Sequence, residues 1–140
     1  MDVTAVRQAI ATNLAPLAST GGMNKVAWYM FSNPEPPCLH IFPAAIAYDA
    51  AMKRGLDRNT FTVQALVALT SETDGQTRLD TYLASSGAAS VKALVESDKT
   101  LGGLVHDTHV TRNTGYKVFV VPGRSDMLGC EWTVEVIAPG

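Results

Sequence analysis

At 140 residues, with a formal net charge of −2 and 46% hydrophobic residues, the chain has the length of one domain and enough apolar material for a buried core. That composition excludes a disordered tail, and no apolar window approaches bilayer length, so no membrane partnership is expected. The slightly acidic balance argues against a tight grip on nucleic-acid phosphates.

Asp2 stands where a basic leader would begin, so no secretory signal is expected. Without one, Cys38 and Cys130 read as two reduced thiols. Val3, Val6, Ile10, Leu14 and Leu17 recur at helical spacing, with Asp2 or Thr4 as the cap. Pro16 and Ser19-Thr20-Gly21-Gly22 end this helix, whose stripe needs a sheet to lie on.

From Asn24 to Phe31 the period changes to two, with Val26, Trp28 and Met30 on one side and Ala27, Tyr29 and Phe31 on the other. Both sides are apolar, which implies either burial on both faces or a surface that meets a partner. Residues 32–37 (SNPEPP) form a stiff loop, and Leu39 and Ile41 restart an extended run that Pro43 interrupts. Residues 44–53 fit a helix by alanine content and a strand by Ile46 and Tyr48. The strand is preferred because residues 54–59 (RGLDRN) read as a turn into an alternating strand over 60–70. In that strand Phe61, Val63, Ala65, Val67 and Leu69 share a face.

Thr73 or Asp74 caps a following helix that buries Leu79, Tyr82 and Leu83 and ends at Ser85-Ser86-Gly87. Ser90 caps another, with Val91, Leu94 and Val95 on its stripe, which breaks at Asp98-Lys99-Thr100. Leu101 then acts as a plug before Gly102-Gly103, where the chain reverses with positive φ. Three extended runs follow, 104–112, 116–121 and 127–138, with turns at Asn113-Thr114-Gly115 and at residues 122–126. The sum is an α+β architecture, a mainly antiparallel sheet with helices against one face.

Reactive constellations are not convincing. His106 and His109 point to opposite faces of an extended strand, and neither Asp107 with His109 nor Cys38 with His40 has a zinc spacing, so no metal is expected. Both cysteines sit in apolar alternations, and Ser86-Gly87 is no nucleophile elbow. Asp74, Asp80, Glu96 and Asp98 read as caps or solvated charges, and Gly102-Gly103 lacks the surroundings of a phosphate loop. No catalytic residue and no cofactor is expected. Lys53, Arg54 and Arg58 form a basic hairpin tip fit to meet an acidic neighbour, and Arg112 and Lys117 flank the next turn. Trp28 adds a large contact surface. These residues are the candidates for a partner or subunit interface; Leu101, Gly102 and Gly103 are the structural pivot.

Several segments resemble, in order, blocks of the tail terminator (tail completion) proteins of long-tailed bacteriophages: PPCLHIFP, YDAAMKRGLDRNTFTVQALV, LDTYLASSG, SVKALVESDKTLGGLVHDTHV and LGCEWTVEV. They cover most of the chain from Pro36 onward, and their order carries the resemblance. It implies a non-enzymatic virion protein, made in the host cytoplasm and located at the head–tail junction. Such a protein forms a homo-oligomeric ring, typically a hexamer, which caps the tail tube and stops its polymerisation. Its implied partners are the tail tube protein and the head–neck connector protein, with DNA only as cargo passing through the ring. No family catalytic residue carries over, and Gly55, Leu79 and Leu128, with the pivot, look like fold determinants. A tube or neck-connector subunit is the nearest alternative and a small ligand-binding or enzymatic domain a more distant one.

Overall fold

In the computed structural model, residues 2–19, 23–30, 37–48, 56–68, 72–120 and 126–139 are described. The helices are α1 (Val3–Leu14), α2 (Pro16–Ser19), α3 (Glu72–Leu83) and α4 (Val91–Val95), the last running into a 3₁₀ turn over Glu96–Asp98. The strands are β1 (Lys25–Ala27), β2 (Cys38–Ala47), β3 (Leu56–Ala68), β4 (Asp107–Phe119) and β5 (Met127–Pro139). They form a five-stranded sheet in the order β1-β2-β3-β5-β4. Only β1 and β2 run parallel; β2–β3, β3–β5 and β4–β5 are antiparallel. The architecture is α+β, a mainly antiparallel sheet with helices on one face.

Alternation decides which face they cover. Phe61, Val63, Ala65 and Val67 of β3 are buried beside Cys130, Trp132, Val134 and Val136 of β5. Val6, Ile10 and Leu14 of α1, Leu79 and Tyr82 of α3, and Val91 and Val95 of α4 join the same cluster. The intervening residues Thr60, Thr62, Gln64, Glu131, Thr133 and Glu135 are half-buried and lie on the face without helices. At one end of that face Cys38, Leu66 and Met127 form a small apolar cluster with Phe119.

Local chemistry explains the helix ends. The Asp2 carboxylate accepts a hydrogen bond from the Ala5 N–H at 3.1 Å and caps α1. Ser90 Oγ accepts from the Ala93 N–H at 3.1 Å and itself donates to the Ala84 carbonyl. After the 3₁₀ turn, the Asp98 carboxylate accepts from the Gly102 N–H at 2.9 Å and from the Thr100 hydroxyl at 3.1 Å. This is the competition with the helix that the Asp-Lys-Thr sequence foretells. Gly102 and Gly103 have φ of 72° and 92°, and Leu101, buried in the core, shares the left-handed region at 51°.

Several expectations are corrected. Leu56–Asn59 belong to β3, paired with β5 from Leu56↔Pro139 onward, and are not part of a turn; Arg54 and Gly55 lie outside the described residues. The strand continues past Pro43 because a bulge at Pro43/Ala45 absorbs the irregularity. Thr73 and Asp74 lie inside α3, which begins at Glu72. Leu104 precedes the strand it was assigned to, which starts at Asp107. Asn113-Thr114-Gly115 does not reverse the chain, and the runs expected on either side of it are one strand, β4. Gly115 takes φ 70° in a bulge between Thr114 and Lys117, while the Asn113 amide donates to the Glu131 carbonyl at 3.0 Å and keeps β4 on β5. The strand expected over 24–31 stops at Ala27: Trp28 bends away and stacks edge-on against Tyr29, with centroids 5.5 Å apart. Phe31, Gly55 and Leu69 lie outside the described residues, as do all but the last residue of the loop expected over 32–37 and of the turn expected over 122–126.

Candidate interaction surfaces

The groups with chemical potential are dispersed. Cys38 and Cys130 form no disulfide and lie on opposite faces of the sheet, with β3 between their strands. Adjacent strands lie about 4.8 Å apart, which puts these two beyond the reach of a disulfide. Burial pushes the Cys130 thiol up to about 11, so it is a poor nucleophile at neutral pH. His40, buried on β2, pairs through Nε2 with Gln64 Oε1, and Gln64 Nε2 donates to Glu131 Oε1 at 3.2 Å. Burial lowers the His40 pKa, opposed by the Gln64 hydrogen bond and the Glu131 charge. These three side chains tie β2, β3 and β5 together on the helix-free face. His106 and Asp107 are exposed, and among the described residues no group of three or more His, Cys, Asp or Glu side chains is placed to hold a metal ion. No described helix is long and apolar enough to cross a membrane.

The described interface candidates, Trp28, Arg58, Arg112 and Lys117, do not form one cluster. Lys53 and Arg54 lie outside the described residues. Arg58 is not at a hairpin tip but within β3, where its Nε meets Glu135 Oε1 at 3.0 Å on the helix-free face. Arg112 and Lys117 do not flank a turn either; they are exposed within β4, in register with Thr133 and Gly129 on that same face. The Lys117 ammonium sits 5.1 Å from the centroid of the Phe119 ring. Trp28 lies at the opposite edge, beyond β1. Leu101, Gly102 and Gly103 take φ of 51°, 72° and 92°.

Two surfaces were legible in the sequence only in part, through Trp28 and through the run over 116–121. At the β1 edge the Arg7 guanidinium of α1 lies 5.3 Å over the Trp28 ring, and the Lys25 ammonium lies 5.1 Å over the Tyr29 ring. Tyr29 and Met30 are exposed beside them, and Arg7 Nε is buried without a hydrogen-bond partner. At the β4 edge Tyr116, Val118 and Val120 form an exposed apolar row, 41, 46 and 73% accessible. This row lies on the helix side, since Val118 pairs with the core residue Leu128 and the Tyr116 hydroxyl donates to Asp80 of α3 at 3.0 Å. The alternation of Tyr116, Val118 and Val120 is visible in the sequence, but only the fold shows that no described helix buries it. Arg7 offered no signal, because it sits on the polar side of the α1 wheel.

A third feature guards the β4 edge. One oxygen of Glu96, Oε2, receives the Val110 N–H at 2.9 Å, Lys92 Nζ at 2.7 Å and His109 Nδ1 at 3.3 Å. Burial alone would raise the Glu96 pKa. The hydrogen bonds from Lys92 and Val110, with the charges of Lys92 and His109, outweigh that and hold it below the usual carboxylate range. Glu96 is therefore more than a solvated charge: it closes one backbone donor on a free sheet edge.

Comparison with protein-family models and with curated proteins finds no match to this chain.

Proposed function

We propose that this protein is a tail terminator of a long-tailed bacteriophage, a non-enzymatic subunit that forms a ring on the head-proximal end of the tail tube. The observation that carries the reading is the ordered series of segments from Pro36 onward that resembles that family. The α+β sheet with helices on one face is compatible with it, and so are the apolar and cation-bearing surfaces at the two sheet edges, which suit contact between subunits.

The mechanism is surface replacement. A growing tube presents a heterologous face to which each new layer adds, and growth ends when something occupies that face without regenerating it. The ring supplies the ending and then offers its other face to the head–neck connector, with DNA passing through its centre. The test is a phage lacking this gene, imaged for tail length and attachment. The expected result is heads and tubes that form but fail to join, with tubes of irregular or excessive length. Normal-length tails on filled heads exclude the terminator role.

A further inference from the structure

Resting on the ring reading, we propose that neighbouring copies meet head to tail, the cation–aromatic patch at the β1 edge of one copy seating on the Asp80–Tyr116–Val118 strip at the β4 edge of the next. The strand order puts these surfaces at opposite ends of the sheet, so one copy can use both at once. Arg7, projecting from α1, and Tyr116, reaching α3, both lie on the helix side, whereas Lys25, in register with Cys38, borders the patch from the other face. The two surfaces are complementary in charge and character. One carries Arg7 and Lys25 above aromatic rings with Met30 exposed; the other carries the exposed Asp80 carboxylate beside Tyr116, Val118 and Val120. The β4 cations Arg112 and Lys117 project from the helix-free face, away from this contact.

The occupant is a second copy of the chain because the chain carries both halves. Arg7 supplies the other argument: its guanidinium lies 5.3 Å over the Trp28 ring with Nε unpaired among the described residues, and a guanidinium beside an apolar surface suits a carboxylate with an apolar border. A contact between two different surfaces is heterologous, and repeating it generates a ring when the rotation closes.

The test is a charge exchange read by sedimentation velocity over a range of protein concentration. Arg7→Glu and Asp80→Arg should each weaken self-association by at least about tenfold. Mixing the two in equal amounts should restore assembly, because every junction in an alternating ring is again complementary, and the double variant should assemble as well. Arg112→Glu, an equal charge reversal on the helix-free face of β4, should leave assembly unchanged. Arg7→Gln serves as a second probe if Arg7→Glu does not fold, which circular dichroism reports. Single variants that assemble like the wild type would place the junction elsewhere and leave the ring standing. A wild-type protein that stays monomeric, alone and with purified tail tubes, would remove the ring reading and this contact together.

Discussion

Leu101 allows packing and backbone strain to be separated at one residue. Its side chain is 3% exposed within the main core cluster, yet its φ of 51° lies in the left-handed region. Leu101→Ala should destabilise by about 2–5 kcal/mol through lost burial and the cavity left behind. Alanine keeps a Cβ, so the left-handed cost of roughly 1–2 kcal/mol stays. Leu101→Gly loses one more carbon, about 0.8 kcal/mol, and gains unfolded-state freedom, about 0.5–1 kcal/mol, but it releases the strain. The two variants should therefore agree within about 1 kcal/mol. Leu79, also fully buried but inside α3, is the control: its Gly variant should fall about 2 kcal/mol below its Ala variant, because helix propensity adds to the lost methyl. Urea unfolding with m-values held common measures all four. An Ala-to-Gly gap at Leu101 as wide as at Leu79 would refute the strain argument, and a Leu101→Ala loss below about 1 kcal/mol would refute the plug.

Gly129→Ala should destabilise by about 1–3 kcal/mol, since its Cβ would meet the Ala65 carbonyl oxygen at 2.8 Å and Leu66 Cδ2 at 2.7 Å, and the carbonyl belongs to a central strand; an unchanged thermal midpoint would contradict this. Glu96→Gln should cost about 1–3 kcal/mol at pH 7 by weakening charge-assisted hydrogen bonds. The Glu96 pKa is depressed on folding, so its contribution is full above the unfolded carboxylate range and fades as pH falls through the folded value. Wild-type and variant stabilities should therefore converge as pH falls below the ordinary carboxylate range, and a difference that stays constant through acid unfolding would show that Glu96 acts through packing alone.

What was legible in the sequence follows from how local the causes are. The β5 alternation of Leu128, Cys130, Trp132, Val134 and Val136 was readable because a strand with one covered face writes period two directly. Ser90 and Asp2 were readable as caps because the capping bond spans three residues. Turn chemistry was misread where tertiary pairing absorbed it. Asn113-Thr114-Gly115 has the composition of a hairpin turn, yet β5 continues alongside and the glycine serves a bulge. Leu56–Asn59 looked like a polar turn because Asp57, Arg58 and Asn59 are polar, although Arg58 is satisfied by Glu135 across the sheet and Asn59 is buried. The candidate surfaces were least legible: Arg7 and Trp28 lie far apart in sequence, and an exposed apolar row becomes notable only once the helix layer is known to stop short of it.

The two free edges of the sheet bear on how copies of such a chain associate. β4 spans 13 residues, which would ordinarily be a template for backbone pairing with another chain. It carries bulges at Val110/Arg112 and Thr114/Lys117, the cations Arg112 and Lys117, and Glu96 occupying the Val110 N–H. β1, at the other edge, spans only three residues. Extended strand-to-strand growth is thus obstructed at both edges by geometry, charge and length. On the proposed reading, association falls to side chains, and one charge reversal at Arg7 or Asp80 should break it. For a subunit proposed to end a polymer this distinction matters, because an unguarded edge would propagate the open assembly that the ring has to stop.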